Sequence, residues 1–140
     1  MKRILFPLFA AAVVVQAAPV VVTSPDGGLQ LAIDCATDGR LTWSLRAAGR
    51  ELIAPSPLGF AGSKLTVAGE RKVDAEWRPL WGKRAVVPDR CHEVTLDLGG
   101  YQVVARAYDD GVAFRYLLPD DTAAGDEATA FCFAGDYTAW

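Results

Sequence analysis

The most constraining stretch of the sequence is EVTLDLGGYQVVARAYDDGVAFRY, residues 93–116. Apolar residues fall at every second position on either side of Gly99-Gly100, the period of a half-buried strand. Two glycines between alternating runs specify a two-residue hairpin turn. With that turn Leu98 opposes Tyr101, Leu96 opposes Val103 and Val94 opposes Ala105, so all six share one face. Glu93 then opposes Arg106 on the other face, an opposite-charge cross-strand pair. A one-residue slip would put the two apolar sets on opposite sides, which burial strongly disfavours. Asp109-Asp110-Gly111 breaks the alternation again, before Val112, Phe114, Tyr116 and Leu118 resume it. Paired carboxylates can be catalytic or hold a metal. Here turn chemistry accounts for all three residues, since Asp accepts hydrogen bonds from nearby backbone and Gly takes positive φ without clash. A strict Asp110-Gly111 turn would set Arg106 against Arg115, which a bulge at Gly111 or a longer loop would relieve. The expectation is one three-stranded antiparallel meander over 93–118.

The same pattern runs upstream. LQLAIDC puts Leu29, Leu31, Ile33 and Cys35 on one side, and LTWSLRA does so with Leu41, Trp43 and Leu45. Asp26-Gly27-Gly28, Asp38-Gly39 and Gly49 punctuate these runs as turns. PSPLGFAGS, residues 55–63, reads as a loop by composition, and no stretch carries a helical apolar stripe. The fold class is therefore all-β, an antiparallel β-sandwich.

Lys2 and Arg3 precede an apolar run, Ile4 to Val15, and small residues follow. That is the pattern of a secretory signal peptide, expected at 1–17 with cleavage after Ala17, and the run is shorter than the ~20 residues a membrane span needs. The sandwich domain then occupies 18–140, exported to the periplasm or the medium, with no membrane attachment. The net charge of −3 becomes −5 once Lys2 and Arg3 leave, which argues against nucleic-acid or anionic-lipid partners. Cys35, Cys91 and Cys132 are an odd set without zinc or redox spacing, and they read as buried thiols acting as small hydrophobes.

Few residues offer chemistry. The single histidine, His92, stands beside Cys91 in DRCHEV, but neighbours on a strand point to opposite faces. It reads as a partly exposed strand or loop residue. Trp77 and Trp81 in EWRPLWG have two readings: capping a small core, the commoner use of large aromatics, or binding substrate by stacking on a sugar ring. No phosphate loop, serine elbow or HExxH helix is present.

Taken in order, SPDGGLQL (24–31), SPLGF (56–60), EWRPLWGKR (76–84), DRCHEVTLDL (89–98), RAYDDGVAFRY (106–116), Glu127 before TAFCF, and Trp140 resemble the N-terminal domain of glycoside hydrolase family 97. Those are exported bacterial enzymes, α-glucosidases and α-galactosidases among them. The resemblance implies a galactose-mutarotase-like super-sandwich, of which this chain is the first half, followed by a (β/α)₈ barrel that carries the catalytic acid and the nucleophile or base. It implies a calcium ion near the active site and α-linked oligosaccharides as substrate of the full enzyme. The family's calcium-binding glutamate falls after Trp140, so no catalytic or metal residue is carried onto this chain, which needs no cofactor of its own. Cys91 and His92 stand where the family pattern has Tyr-Asn before Glu93. A half-sandwich is expected to leave strand edges unpaired. The function implied is a non-catalytic support for a sugar site on the barrel. The alternatives are a stand-alone carbohydrate-binding module using Trp77 and Trp81, or an exported structural or interaction domain with no sugar affinity.

Overall fold

The computed structural model describes residues 18–60, 64–120 and 125–138; the expected leader at 1–17, residues 61–63 of the expected loop, and Trp140 lie outside them. Eight strands form in chain order: β1 (Val20–Thr23), β2 (Leu29–Cys35), β3 (Leu41–Ala47), β4 (Arg50–Pro57), β5 (Thr66–Trp77), β6 (Val87–Asp97), β7 (Gln102–Ala107) and β8 (Val112–Leu117). They make two four-stranded antiparallel meanders, β1-β2-β3-β4 and β5-β6-β7-β8. Alternation decides which side each strand buries. Leu31, Ile33, Leu41 and Trp43 of the first sheet meet Val94, Leu96, Leu98, Val103 and Ala105 of the second, and all are buried.

The Gly99-Gly100 register is as the sequence specifies. The Leu98 amide donates to the Tyr101 carbonyl at 3.0 Å, Leu96 faces Val103, and Glu93 faces Arg106. The second hairpin differs in detail. Its turn residues are Asp109 and Asp110: the Tyr108 amide donates to the Gly111 carbonyl at 2.8 Å, and Ala107 pairs with Val112. Moving the turn one residue earlier puts Arg106 opposite Ala113 and Arg115 opposite Val104, so the two arginines separate without a bulge and the faces stay segregated. Gly111 consequently does not need, and does not adopt, a positive φ. Asp109 does more than shape the turn: its Oδ1 accepts the Asp26 amide at 2.9 Å, tying this hairpin to the Ser24–Gly28 turn of the other sheet.

Two further expectations are corrected. Residues 55–57 of the expected loop belong to β4, because the strand continues to pair: Pro57 stands opposite Thr42. The expectation of unpaired strand edges is corrected at β4 only; β1, β5 and β8 are the other edge strands. The Ala54 and Ala134 amides donate to the Cys132 and Leu52 carbonyls, and those of Ala128 and Ala130 to Gly59 and Pro57. Residues 128–134 thus lie along β4 as a strap. The strap also accepts the Trp43 indole N–H at the Ala130 carbonyl, 3.0 Å, and sets Phe131 edge-on to Trp43 at 5.1 Å. All three cysteines are unpaired; Cys91 is buried as expected and Cys35 half-buried, but Cys132 is exposed, as are its neighbours Phe131 and Phe133 on the strap.

Candidate functional site

Two features outside the core bear on function. The first is a polar network on the outward face of the second sheet. Glu93 lies on the central strand β6, between Arg71 of β5 and Arg106 of β7. Arg71 Nε donates to Glu93 Oε1 and Arg106 Nε to Oε2, both at 2.6 Å. Arg106 Nη1 also donates to the Tyr108 hydroxyl at 3.1 Å, and that hydroxyl donates to Asp89 Oδ1 at 3.1 Å. Asp89, Cys91 and Glu93 share this face by strand parity. Cys91 and Val104 are buried on it. The Glu93 carboxylate is 7% exposed. The Arg71 hydrogen bond, reinforced by Arg106 and opposed by burial, holds it below the usual carboxylate range. A carboxyl so held is ionised at neutral pH with its lone pairs engaged, so it is not poised as a general acid. Burial pushes the Cys91 thiol up, away from a nucleophilic thiolate.

The second feature is an arm. β5 and β6 pair from Thr66–Asp97 out to Trp77–Val87, whereas β7 joins β6 only from His92 to Asp97. The rungs from Val73–Cys91 to Trp77–Val87 therefore project as a two-stranded ribbon. At its tip Trp77 is 55% exposed, Trp81 85% and Leu80 98%. The core-capping reading of the two tryptophans is thereby excluded, since neither ring is in the core. The network and the arm share β5 and β6, but Trp77 and Trp81 do not join the Glu93 cluster.

His92 is half-buried on the core-facing side, where its Nδ1 donates to the Thr23 carbonyl at 2.7 Å and clips β1 to β6. It borders a cleft of about 470 Å³ lined by Val21, Thr23, Glu70 and Lys72. Among the described residues no group of three or more His, Cys, Asp or Glu is placed to hold a metal ion. The calcium that the resemblance implies has no fitting donor set there. Arg71, Asp89 and Tyr108 escaped the sequence reading. Asp89 and Tyr108 were accessible through the parity of Glu93 and Arg106, but Arg71 needed β5, whose sequence does not alternate.

Two four-stranded antiparallel sheets packed face to face, with a projecting aromatic ribbon, define a β-sandwich domain. Residues 22–140 match the family model described as glycosyl-hydrolase 97 N-terminal, and the chain belongs to that family. It is 34% identical over 134 residues to a protein of Streptomyces bingchenggensis named a probable retaining alpha-galactosidase, covering 84% of this chain and 20% of that protein. A retaining alpha-galactosidase of Bacteroides thetaiotaomicron is 28% identical over 128 residues, covering 83% and 19%. Among solved structures, a glycoside hydrolase family 97 enzyme of Pseudoalteromonas sp. strain K8 in complex with panose superposes with a TM-score of 0.67 at 26% identity, over 82% of this chain and 20% of that one. A beta-arabinopyranosidase gives 0.66 at 28%, over 81% and 21%. The chain spans about a fifth of the length of these relatives.

Proposed function

We propose that the chain is the non-catalytic first portion of an exported family 97 glycoside hydrolase, acting on α-linked oligosaccharides through a (β/α)₈ domain supplied outside residues 22–140. The observation that carries this reading is the family match over 22–140, joined to the engagement of Glu93 in two arginine bonds. Export through a leader at 1–17 places the enzyme in the periplasm or the medium. Calcium, where the full enzyme holds it, would be bound by residues outside those described here. Trp77 and Trp81 are the candidate substrate-contacting residues, because their exposed rings can stack on a sugar while the indole N–H donates. The same exposure favours a second reading, a carbohydrate-binding module that acts alone.

The test uses the purified chain with nitrophenyl α-galactoside, nitrophenyl α-glucoside and panose. The expected result is no hydrolysis, and little quenching of tryptophan fluorescence by panose until the catalytic domain is present. Saturable quenching by panose that Trp77→Ala and Trp81→Ala remove would establish the module reading instead. Hydrolysis abolished by Glu93→Gln would overturn both.

A further inference from the structure

We propose that the tip of the β5–β6 arm, residues 77–84, is a docking element. Its partner is the polypeptide that the longer relatives carry beyond the part matched here, and it seats in an apolar hollow with an acidic rim. The inference rests on the proposed function and names the contact through which the support is given. Three observations carry it. Leu80, at 98% exposed, and Trp81, at 85%, stand side by side with almost no cover from the described residues. Scattered apolar residues on a surface are ordinary, but adjacent large ones held out on a ribbon mark an interaction site. The charge is one-sided: Arg78, Lys83 and Arg84 are exposed, and no carboxylate occurs between Trp77 and Val86, in a chain of net charge −3. The ribbon is held in shape by its own backbone ladder, which runs unbroken from Val73–Cys91 to Trp77–Val87. The tip is thus presented on a supported element that β7 leaves free.

The chemistry selects among occupants. A sugar would use the ring faces and leave Leu80 and the three cations without a role. A second copy meeting tip to tip about a two-fold axis would bring like charges together. An anionic membrane would attract the tip but repel the net negative chain. An acidic-rimmed hollow takes all five residues: Leu80 and Trp81 as anchors, Arg78, Lys83 and Arg84 at the rim. A tryptophan at the seam can be covered on one face by protein and still offer the other to a sugar, so both roles of Trp81 are compatible.

The probe is the Bacteroides thetaiotaomicron retaining alpha-galactosidase made without the segment aligned to this chain, with its own excised segment as control. Amide exchange on the whole chain is measured with and without the probe. The expected result is at least about tenfold slowing at Leu80 and Trp81 on complex formation. Leu80→Asp with Trp81→Asp should weaken the complex about thirtyfold or more, the scale of interface hot spots. Arg78→Glu with Lys83→Glu and Arg84→Glu should slow association most at low salt. Since these positions are exposed, the variants should melt like the parent. If the outward face at 104–115 is protected and 77–84 is not, the docking inference fails while the proposed function stands. If the control segment binds and this chain does not, both fail. Should the control not bind in two pieces, the same protection is read in a single polypeptide with this chain joined in place of the excised segment, and unprotected 77–84 there also refutes the inference. Tip-dependent binding to phosphatidylserine vesicles, or a tip-dependent dimer, overturns it as well.

Discussion

Replacing Glu93 by alanine tests whether the network on the outward face holds the second sheet together or merely decorates it. The carboxylate is 7% exposed and Arg106 27%, with a 2.6 Å bond between them. Hydrogen bonds to charged groups at such sites contribute about 1.5–3 kcal/mol. Arg71 is 63% exposed, so water screens its pairing and it adds little. Removing one partner of a buried pair costs more than the pair is worth, because the other charge is stranded. Here Arg106 retains the Tyr108 hydroxyl, and Asp89 at 3.6 Å, which limits that penalty. The expected loss for Glu93→Ala is therefore about 2–3 kcal/mol. That is a large share of the ~5–15 kcal/mol typical of a domain.

Urea unfolding is the assay, with the slope checked to be unchanged so that the midpoint reports stability. A cycle with Arg106→Ala should return a coupling of about 1–2 kcal/mol. The pH dependence has a definite sign. The folded-state pKa of Glu93 is depressed below its ordinary 4.5, so the contribution is fully present above that value and is lost as pH falls through the folded pKa. The gap between parent and Glu93→Gln should therefore close in acid and stay constant from pH 6 to 8, a window in which this carboxyl does not titrate. A loss below ~0.5 kcal/mol, the scale of an ordinary surface substitution, or a gap that widens in acid would refute the reasoning.

The legible parts of this molecule are those governed by local rules. Gly99-Gly100 set one register, and with it the buried set Val94, Leu96, Val103 and Ala105 and the Glu93–Arg106 pair. β2 and β3 were readable because each has one core face and alternates cleanly. β5 was not. TVAGERKVDAEW is exposed along nearly its whole length, so burial imposes no pattern on it, and its partner β6 alone makes it a strand. Arg71 was lost with it. The bond from Asp26 to Asp109 spans 83 residues and follows from how the sheets stack, and the strap on β4 likewise depends on pairing between distant segments. The tryptophans show the same limit from the other side: composition allowed core or surface, and the length of the β5–β6 ladder beyond β7 decided for surface.

Tyr101→Phe should cost about 1–2 kcal/mol in urea unfolding, since the buried hydroxyl donates to the Phe60 carbonyl at 2.6 Å and accepts its amide at 3.2 Å. Gly59→Ala should lower the melting temperature clearly and Gly111→Ala hardly at all: Gly59 has φ 63° with the Tyr116 ring 2.8 Å from a new Cβ, while Gly111 has neither constraint. The final prediction concerns the strap. Ending the chain before Ala128 removes the backbone bonds that cover β4, and also the Trp43 partner at Ala130. Trp43 is 2% exposed, so its N–H is left unpaired in the core boundary or the ring must turn outward. Either way the first sheet acquires an open edge beside newly exposed apolar surface, the arrangement that templates strand addition from another chain. The shortened chain should melt lower and scatter light increasingly with concentration, while the parent does not. If it stays monomeric at every concentration where the parent does, β4 is protected by something other than the strap, and the edge-covering role of residues 128–134 is wrong.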